Sequence, residues 1–144
     1  METFHTYKQF VQVVLPLALP KLYTYAVPVF LEERIAVGKR VEVQFGKQKL
    51  YTAIVDSITS IAPTDYVPKE ILAVIDETPI IGQLQLDFWQ WLSTYYMCTL
   101  GDVMNAALPA YFKLDSETYF VKNPFNDIDI LDLSDDEYLI AEAL

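Results

Sequence analysis

The first half of the chain is built from short runs of β-branched and aromatic residues, each cut off by proline or glycine. Phe10-Val11-Gln12-Val13-Val14-Leu15 stops at Pro16, and Leu22-Tyr23-Thr24-Tyr25-Ala26-Val27 stops at Pro28; both read as strands. Between them, Pro16-Leu17-Ala18-Leu19-Pro20 is an apolar connector that its prolines hold extended. Val37-Gly38-Lys39 has the composition of a turn. Val41-Glu42-Val43-Gln44-Phe45 alternates apolar and polar side chains, the pattern of a half-buried strand. Gly46 to Lys49 is then a loop of hairpin length, with Leu50 to Ile58 as the return strand. Ala62 to Lys69 contains two prolines and reads as a loop, and Ile71-Leu72-Ala73-Val74-Ile75 is a fifth strand. Five short strands at this spacing predict a small, open, barrel-like sheet.

The period then changes. Leu84, Phe88, Trp91, Leu92 and Tyr95 recur at the spacing of one helix face, with Gln83, Asp87, Gln90 and Thr94 opposite. Trp89 and Tyr96 widen the apolar stripe, so the helix is expected to pack on the sheet and on a second helix, Gly101 to Leu108, which Pro109 stops. The fold class is thus α+β: a barrel over residues 8–76 and helices over 82–108, in one domain of residues 1–112. Residues 113–144 differ in character. Glu117 to Lys122 reads as a strand and Asn123 to Asp132 as an acidic linker. Ser134-Asp135-Asp136-Glu137 forms a capping box for a helix that runs to Leu144. This region is expected to open a further domain, cut short where the sequence stops.

Composition sets the outer limits. At 144 residues and 53% hydrophobic, the chain has material for one well-packed core. No apolar run is long enough to span a bilayer and no signal peptide is visible. A single cysteine, Cys98, leaves no internal disulfide, and a cytoplasmic location is expected. The formal net charge of −10 opposes nonspecific coating of a nucleic acid, but it is unevenly placed. Residues 1–112 carry −3 and residues 113–144 carry −7, while the window 34–49 is +4 through Arg34, Lys39, Arg40, Lys47 and Lys49 against Glu42. Such a window can grip a few phosphates; it also reads, no less well, as a solvated turn.

Catalytic chemistry is not written in the sequence. There is no phosphate-cradling Gly-x-x-x-x-Gly-Lys-Ser/Thr loop. Cys98 and His5 cannot make a four-ligand zinc site. Cys98, near the end of an aromatic helix, reads as a small core residue. No metal or catalytic residue is assigned.

Four segments in order resemble the start of the PriA family, the primosomal protein N′ helicases of replication restart. They are Leu15 to Pro28, containing Leu-Pro and Tyr23-Thr24-Tyr25; Gly38-Lys39-Arg40-Val41-Glu42-Val43-Gln44-Phe45-Gly46-Lys47; Lys69 to Pro79; and Trp91 to Val103, continuing to Ala106-Ala107-Leu108-Pro109. Each is weak alone, and their order over about 110 residues makes the likeness fairly specific. The region after residue 112 resembles the opening of the family's winged-helix domain.

The resemblance implies a DNA-binding domain, itself not an enzyme, that captures the 3′ end of the nascent leading strand at stalled or branched forks. The parent would be an ATP-dependent 3′-to-5′ helicase using ATP, Mg²⁺ and structural zinc, with DNA bearing a 3′ end and replication-restart proteins as partners and no membrane. The positions matching the family's end-binding pocket are Tyr23, Thr24, Tyr25, Gly46 and Lys69. An aromatic face stacks on a base without reading its identity, Gly46 admits close approach of a sugar, and Lys69 can pair with a phosphate. Arg40, Lys47 and Lys49 are further phosphate candidates. Taken without the likeness, Tyr23 and Tyr25 serve equally well as core and Gly46 as a turn residue. Two positions depart from the family: Thr24 replaces an Asp and Gln44 a Pro. A carboxylate accepts a hydrogen bond from a free 3′-hydroxyl and repels a 3′-phosphate; the Thr24 hydroxyl is uncharged. Discrimination is therefore expected to be weaker, or to come from another group such as Glu42. Two other readings stay open: a protein-interaction module with an aromatic groove and an acidic tail suited to a basic partner, and a structural fragment with no affinity of its own.

Overall fold

The computed structural model describes residues 7–113. The readings placed on His5, on the strand at 117–122, on the linker at 123–132 and on the capped helix from Ser134 lie outside these residues.

Five strands form one antiparallel sheet: β1 (Phe10–Val14), β2 (Tyr23–Ala26), β3 (Arg40–Phe45), β4 (Lys49–Thr59) and β5 (Ile71–Val74), in the order β2-β1-β4-β3-β5. The long β4 is the spine. Its first half pairs with β3, from Phe45 opposite Lys49 to Arg40 opposite Ile54, and its second half pairs with β1. A register shift between Gln12 and Val13 bends the sheet. The two edges then meet: Ala26 bridges Glu70 in parallel, its amide donating to the Lys69 carbonyl at 2.8 Å. That single bridge curls the sheet into a half-barrel with the last residues before β5 lying along the free edge of β2.

Alternation along the strands gives the sheet two apolar faces. Val11, Val13, Tyr25, Val41, Val43, Tyr51 and Ile71 fill the barrel interior. Val14 and Ile54 face outward and meet Ile81, Leu86, Trp89, Val103 and Met104 from two helices, α1 (Gln83–Tyr96) and α2 (Leu100–Ala107). Both helices start where polar groups satisfy their first amides. Gln85 Oε1 accepts from the Gly82 amide at 2.6 Å, and Thr99 with Asp102 forms a reciprocal capping box.

The barrel and both helices stand where the patterning puts them; the inward face of α1 does not. Leu86 and Trp89 are buried, with Leu92 half-buried, whereas Leu84, Phe88, Trp91 and Tyr95 face solvent, Trp91 being 55% exposed. The amides of Ile80 and Ile81 both donate to the Gly38 carbonyl, at 3.1 and 3.3 Å, and Ile81 is buried. This anchor fixes the rotation with which α1 begins, and so turns the Leu86–Trp89 stripe inward although the other is richer in apolar residues. The outward stripe stacks on itself, Phe88 on Trp91 at 5.9 Å and Trp91 on Tyr95 at 5.1 Å between centroids.

Candidate nucleic-acid interface

A cavity of about 280 Å³ opens at the end of the barrel, where β2, the β3–β4 turn and the loop before β5 converge. That is room for a nucleoside-sized group, at the small end of ligand cavities. Tyr23, Thr24, Tyr25, Gly46 and Lys69 all line it, joined by Gln44, Phe45, Tyr66 and Val67. The fold thus brings together five residues from three segments as far apart as positions 23 and 69.

Local geometry explains each placement. Tyr23 and Tyr25 share the inner face of β2. Tyr25 is buried in the core and its hydroxyl donates to the Gln44 carbonyl at 3.2 Å. Burial, and after it the neighbouring Tyr66 and Tyr23 phenols, push its pKa up to about 12, so it stays a neutral donor at any physiological pH. Tyr23 is half-buried, edge-on to Phe45 at 5.0 Å and tilted against Tyr66 at 6.3 Å. Lys21 lies over the Tyr23 ring, 5.9 Å from its centroid. Gly46 has φ +72, a left-handed conformation that favours glycine in the tight β3–β4 turn, and a Cβ there would meet nothing within 4 Å. Lys69 donates to the Gly46 carbonyl at 2.7 Å, tying the loop to the turn. Its exposed ammonium retains two further N–H donors.

The basic window does not survive folding as one patch. Arg40 sits at the opposite end of β3 from Gly46. Its guanidinium chelates Asp76, with Nη2 at 2.6 Å and Nε at 3.0 and 3.1 Å, donates to the Phe112 carbonyl and lies over the Phe112 ring. Arg40, expected as a phosphate contact, is engaged by these internal partners and does not line the cavity. Lys39 is buried, with Nζ on the Arg34 carbonyl at 2.7 Å. Lys47 and Lys49 remain exposed beside the cavity's turn, Lys49 over the Tyr51 ring. Glu42, the alternative acid, is not among the residues lining the cavity.

Sequence reasoning passed over Tyr66. It sits in the proline-containing loop at 62–69, and its one sequence signal is that it is the loop's single aromatic residue, three positions before Lys69. Its hydroxyl accepts from the Thr24 amide at 2.8 Å and donates to the Thr24 carbonyl at 3.3 Å.

A second cavity, of about 300 Å³, lies between the 15–22 connector and the two helices and shares Tyr23 as a wall. Lys21 is its one charged residue, and of the five residues matched to the end-binding pocket only Tyr23 lines it. Among the described residues no group of three or more His, Cys, Asp or Glu side chains is placed to hold a metal ion. No helix among them is long and apolar enough to cross a membrane.

Residues 12–109 match the model of the 3′ DNA-binding domain (3′BD) family. Replication restart protein PriA of Haemophilus influenzae is 38% identical over 114 residues, covering 78% of this chain and 15% of that protein. PriA of Chlamydia trachomatis is 28% identical over 127 residues, 85% of this chain and 17% of that protein. PriA of Treponema pallidum is 29% identical over 104 residues, 69% and 16% respectively. The chain spans about one sixth of the length of these relatives. With its half-barrel, two helices and end cavity inside the matched span, the chain belongs to the PriA 3′ DNA-binding domain family.

Proposed function

We propose that the domain captures the 3′ end of a nascent DNA strand at a stalled or branched fork, with the terminal nucleotide in the cavity between β2 and the Gly46 turn. One observation carries the reading: Tyr23, Thr24, Tyr25, Gly46 and Lys69 line a single nucleoside-sized cavity. In it the base lies against the Tyr23 ring, with Phe45 beside it; stacking of this kind adds about 1–3 kcal/mol per base and ignores base identity. The sugar passes over Gly46, and Lys69 pairs with the phosphate on its 5′ side. Lys47 and Lys49 meet the next phosphates. With two or three phosphates engaged, affinity is modest and falls with salt at a log–log slope of about −2. The parent protein, by the same reading, is a bacterial ATP-dependent helicase that acts in the cytoplasm with other restart proteins and uses this domain to choose its loading site.

The test is fluorescence anisotropy of the 144-residue chain on matched primer–template junctions ending in a 3′-hydroxyl or a 3′-phosphate, each at two salt concentrations. Salt-sensitive binding that prefers the free hydroxyl supports end capture. Equal binding to both leaves a DNA-binding domain without end selectivity. No binding to either sinks the proposal.

The outward Phe88–Trp91–Tyr95 stack favours a second role, as a docking surface for protein. Such an apolar interaction is nearly insensitive to salt, which separates it from phosphate binding.

A further inference from the structure

β2 is an edge strand, and the main-chain groups of Thr24 point away from β1 towards the loop before β5. One side-chain oxygen satisfies both. Tyr66 Oη accepts the Thr24 N–H at 2.8 Å and donates to the Thr24 C=O at 3.3 Å. A single hydroxyl thus acts as donor and acceptor to one residue's backbone, at the wall of the cavity that both residues line.

We infer that Tyr66 is an internal stand-in for the terminal 3′-hydroxyl, and that the backbone pair of Thr24, not its side chain, is the element that reads a free end. The inference rests on the end-capture reading. A 3′-hydroxyl has the same inventory as a phenol, one donor and accepting lone pairs, and can replace it bond for bond. A 3′-phosphate near neutral pH is largely without a donor. It would leave the Thr24 carbonyl unpaired and set a negative charge against it, which is unfavourable in a partly buried site. Selectivity for a free end then does not need the acid that the family has where this chain has Thr24. The Tyr66 ring is half-buried and touches Tyr23 only at a tilt, so the exchange breaks two neutral hydrogen bonds and no charged one. In the free protein the phenol keeps the edge of β2 satisfied; on binding, the DNA end takes both bonds and the phenol moves off to solvent. Tyr66 therefore competes with the ligand.

The test compares the wild-type chain with Tyr66→Phe on three single-stranded oligonucleotides ending in 3′-hydroxyl, 3′-deoxy and 3′-O-methyl. In the wild type the hydroxyl end binds tightest, since the other two cannot donate to the Thr24 carbonyl. Tyr66→Phe removes the competitor: affinity for the hydroxyl end rises about three- to tenfold, while the 3′-deoxy end changes less than twofold. If Tyr66→Phe weakens the hydroxyl end, or shifts all three ends alike, Tyr66 is merely a wall and the inference fails. Equal binding of the three ends by the wild type also overturns it while leaving DNA binding intact, whereas no binding at all removes the end-capture reading itself. Nuclear magnetic resonance of the wild type provides a check independent of the variant's folding. Saturation with the hydroxyl-ended oligonucleotide moves the Tyr66 ring signals to solvent-exposed values, and the 3′-deoxy end leaves them in place. Unmoved signals with both ends sink the proposal.

Discussion

Gly101, in the first turn of α2, packs against the backbone of Leu17 so closely that a Cβ would overlap the Leu17 carbonyl oxygen and stand 2.6 Å from that of Leu15. This contact holds the second helix on the 15–22 connector, and Asn105 Nδ2 adds a hydrogen bond to the Pro16 carbonyl at 3.0 Å. Two effects oppose each other in Gly101→Ala. Alanine gains about 1 kcal/mol of helix propensity. The overlap is with backbone on both sides, and forced overpacking costs about 1–3 kcal/mol or more. Because the carbonyls belong to a connector pinned by two prolines, the clash wins, and urea unfolding should show a net loss of about 2 kcal/mol.

Arg40 and Asp76 join the start of β3 to the chain just after β5, and both side chains are largely removed from solvent. Asp76→Asn keeps the shape and removes the charge, and is expected to cost about 2–3 kcal/mol by leaving the guanidinium under-compensated. Burial alone would raise the Asp76 pKa; the hydrogen bonds and charge of Arg40 outweigh it, and the net shift is downward. The folded state therefore binds this proton less tightly than the unfolded chain. The resulting stability is full above the ordinary carboxylate pKa of about 4 and is lost as pH falls through the lower folded value. Unfolding measured from pH 6 to pH 2 should show the two proteins converging at the acid end.

How much of this was legible from the residues divides along physical lines. Strand alternation and proline stops are local, so the five strands and both helices can be read from the chain. The likeness of motifs also picks out five residues that the fold gathers on one cavity. Helix rotation is not local. Two apolar stripes run along α1, and the choice between them is made by the Gly38 carbonyl holding Ile80 and Ile81, about forty residues away in sequence. Charge counting meets the same limit: Arg34 to Lys49 is one window in sequence, but folding gives Lys39 and Arg40 internal partners. Tyr66 was missed because its significance lies wholly in a contact 42 residues distant.

Gly46 separates a backbone requirement from a binding requirement. At φ +72 any L-residue with a Cβ is strained by about 1–2 kcal/mol, and no neighbour clashes with the added methyl. Gly46→Ala should therefore lower the unfolding free energy by no more than that amount. If the sugar of a DNA end must pass over this turn, the same methyl stands in its path. Affinity for a 3′-hydroxyl primer should then fall at least tenfold, well beyond what the lost stability explains. A matched change in an exposed turn away from the cavity is the control, and an equal small effect from both variants would argue that Gly46 serves the turn alone.

Tyr25 links the core to the cavity, and its buried phenol makes a prediction at the alkaline end. The folded pKa, pushed up to about 12, exceeds the unfolded value of about 10, so the folded state holds this proton more tightly. Its contribution to stability is fully present below pH 10 and is lost as pH rises through 10 towards 12. Tyr25→Phe cannot ionise. At neutral pH the variant forfeits the hydrogen bond to the Gln44 carbonyl and should be less stable by about 1 kcal/mol. Above pH 10 the wild type must begin to ionise on unfolding while the variant does not, so the gap between them should close and then reverse. Denaturant titrations of both proteins from pH 8 to pH 12 measure that gap directly, and the other tyrosines cancel because the two proteins share them. A gap that stays constant across the range would mean that the Tyr25 hydroxyl reaches water in the folded state, and that the inner wall of the cavity is wetter than its packing against Gln44 implies.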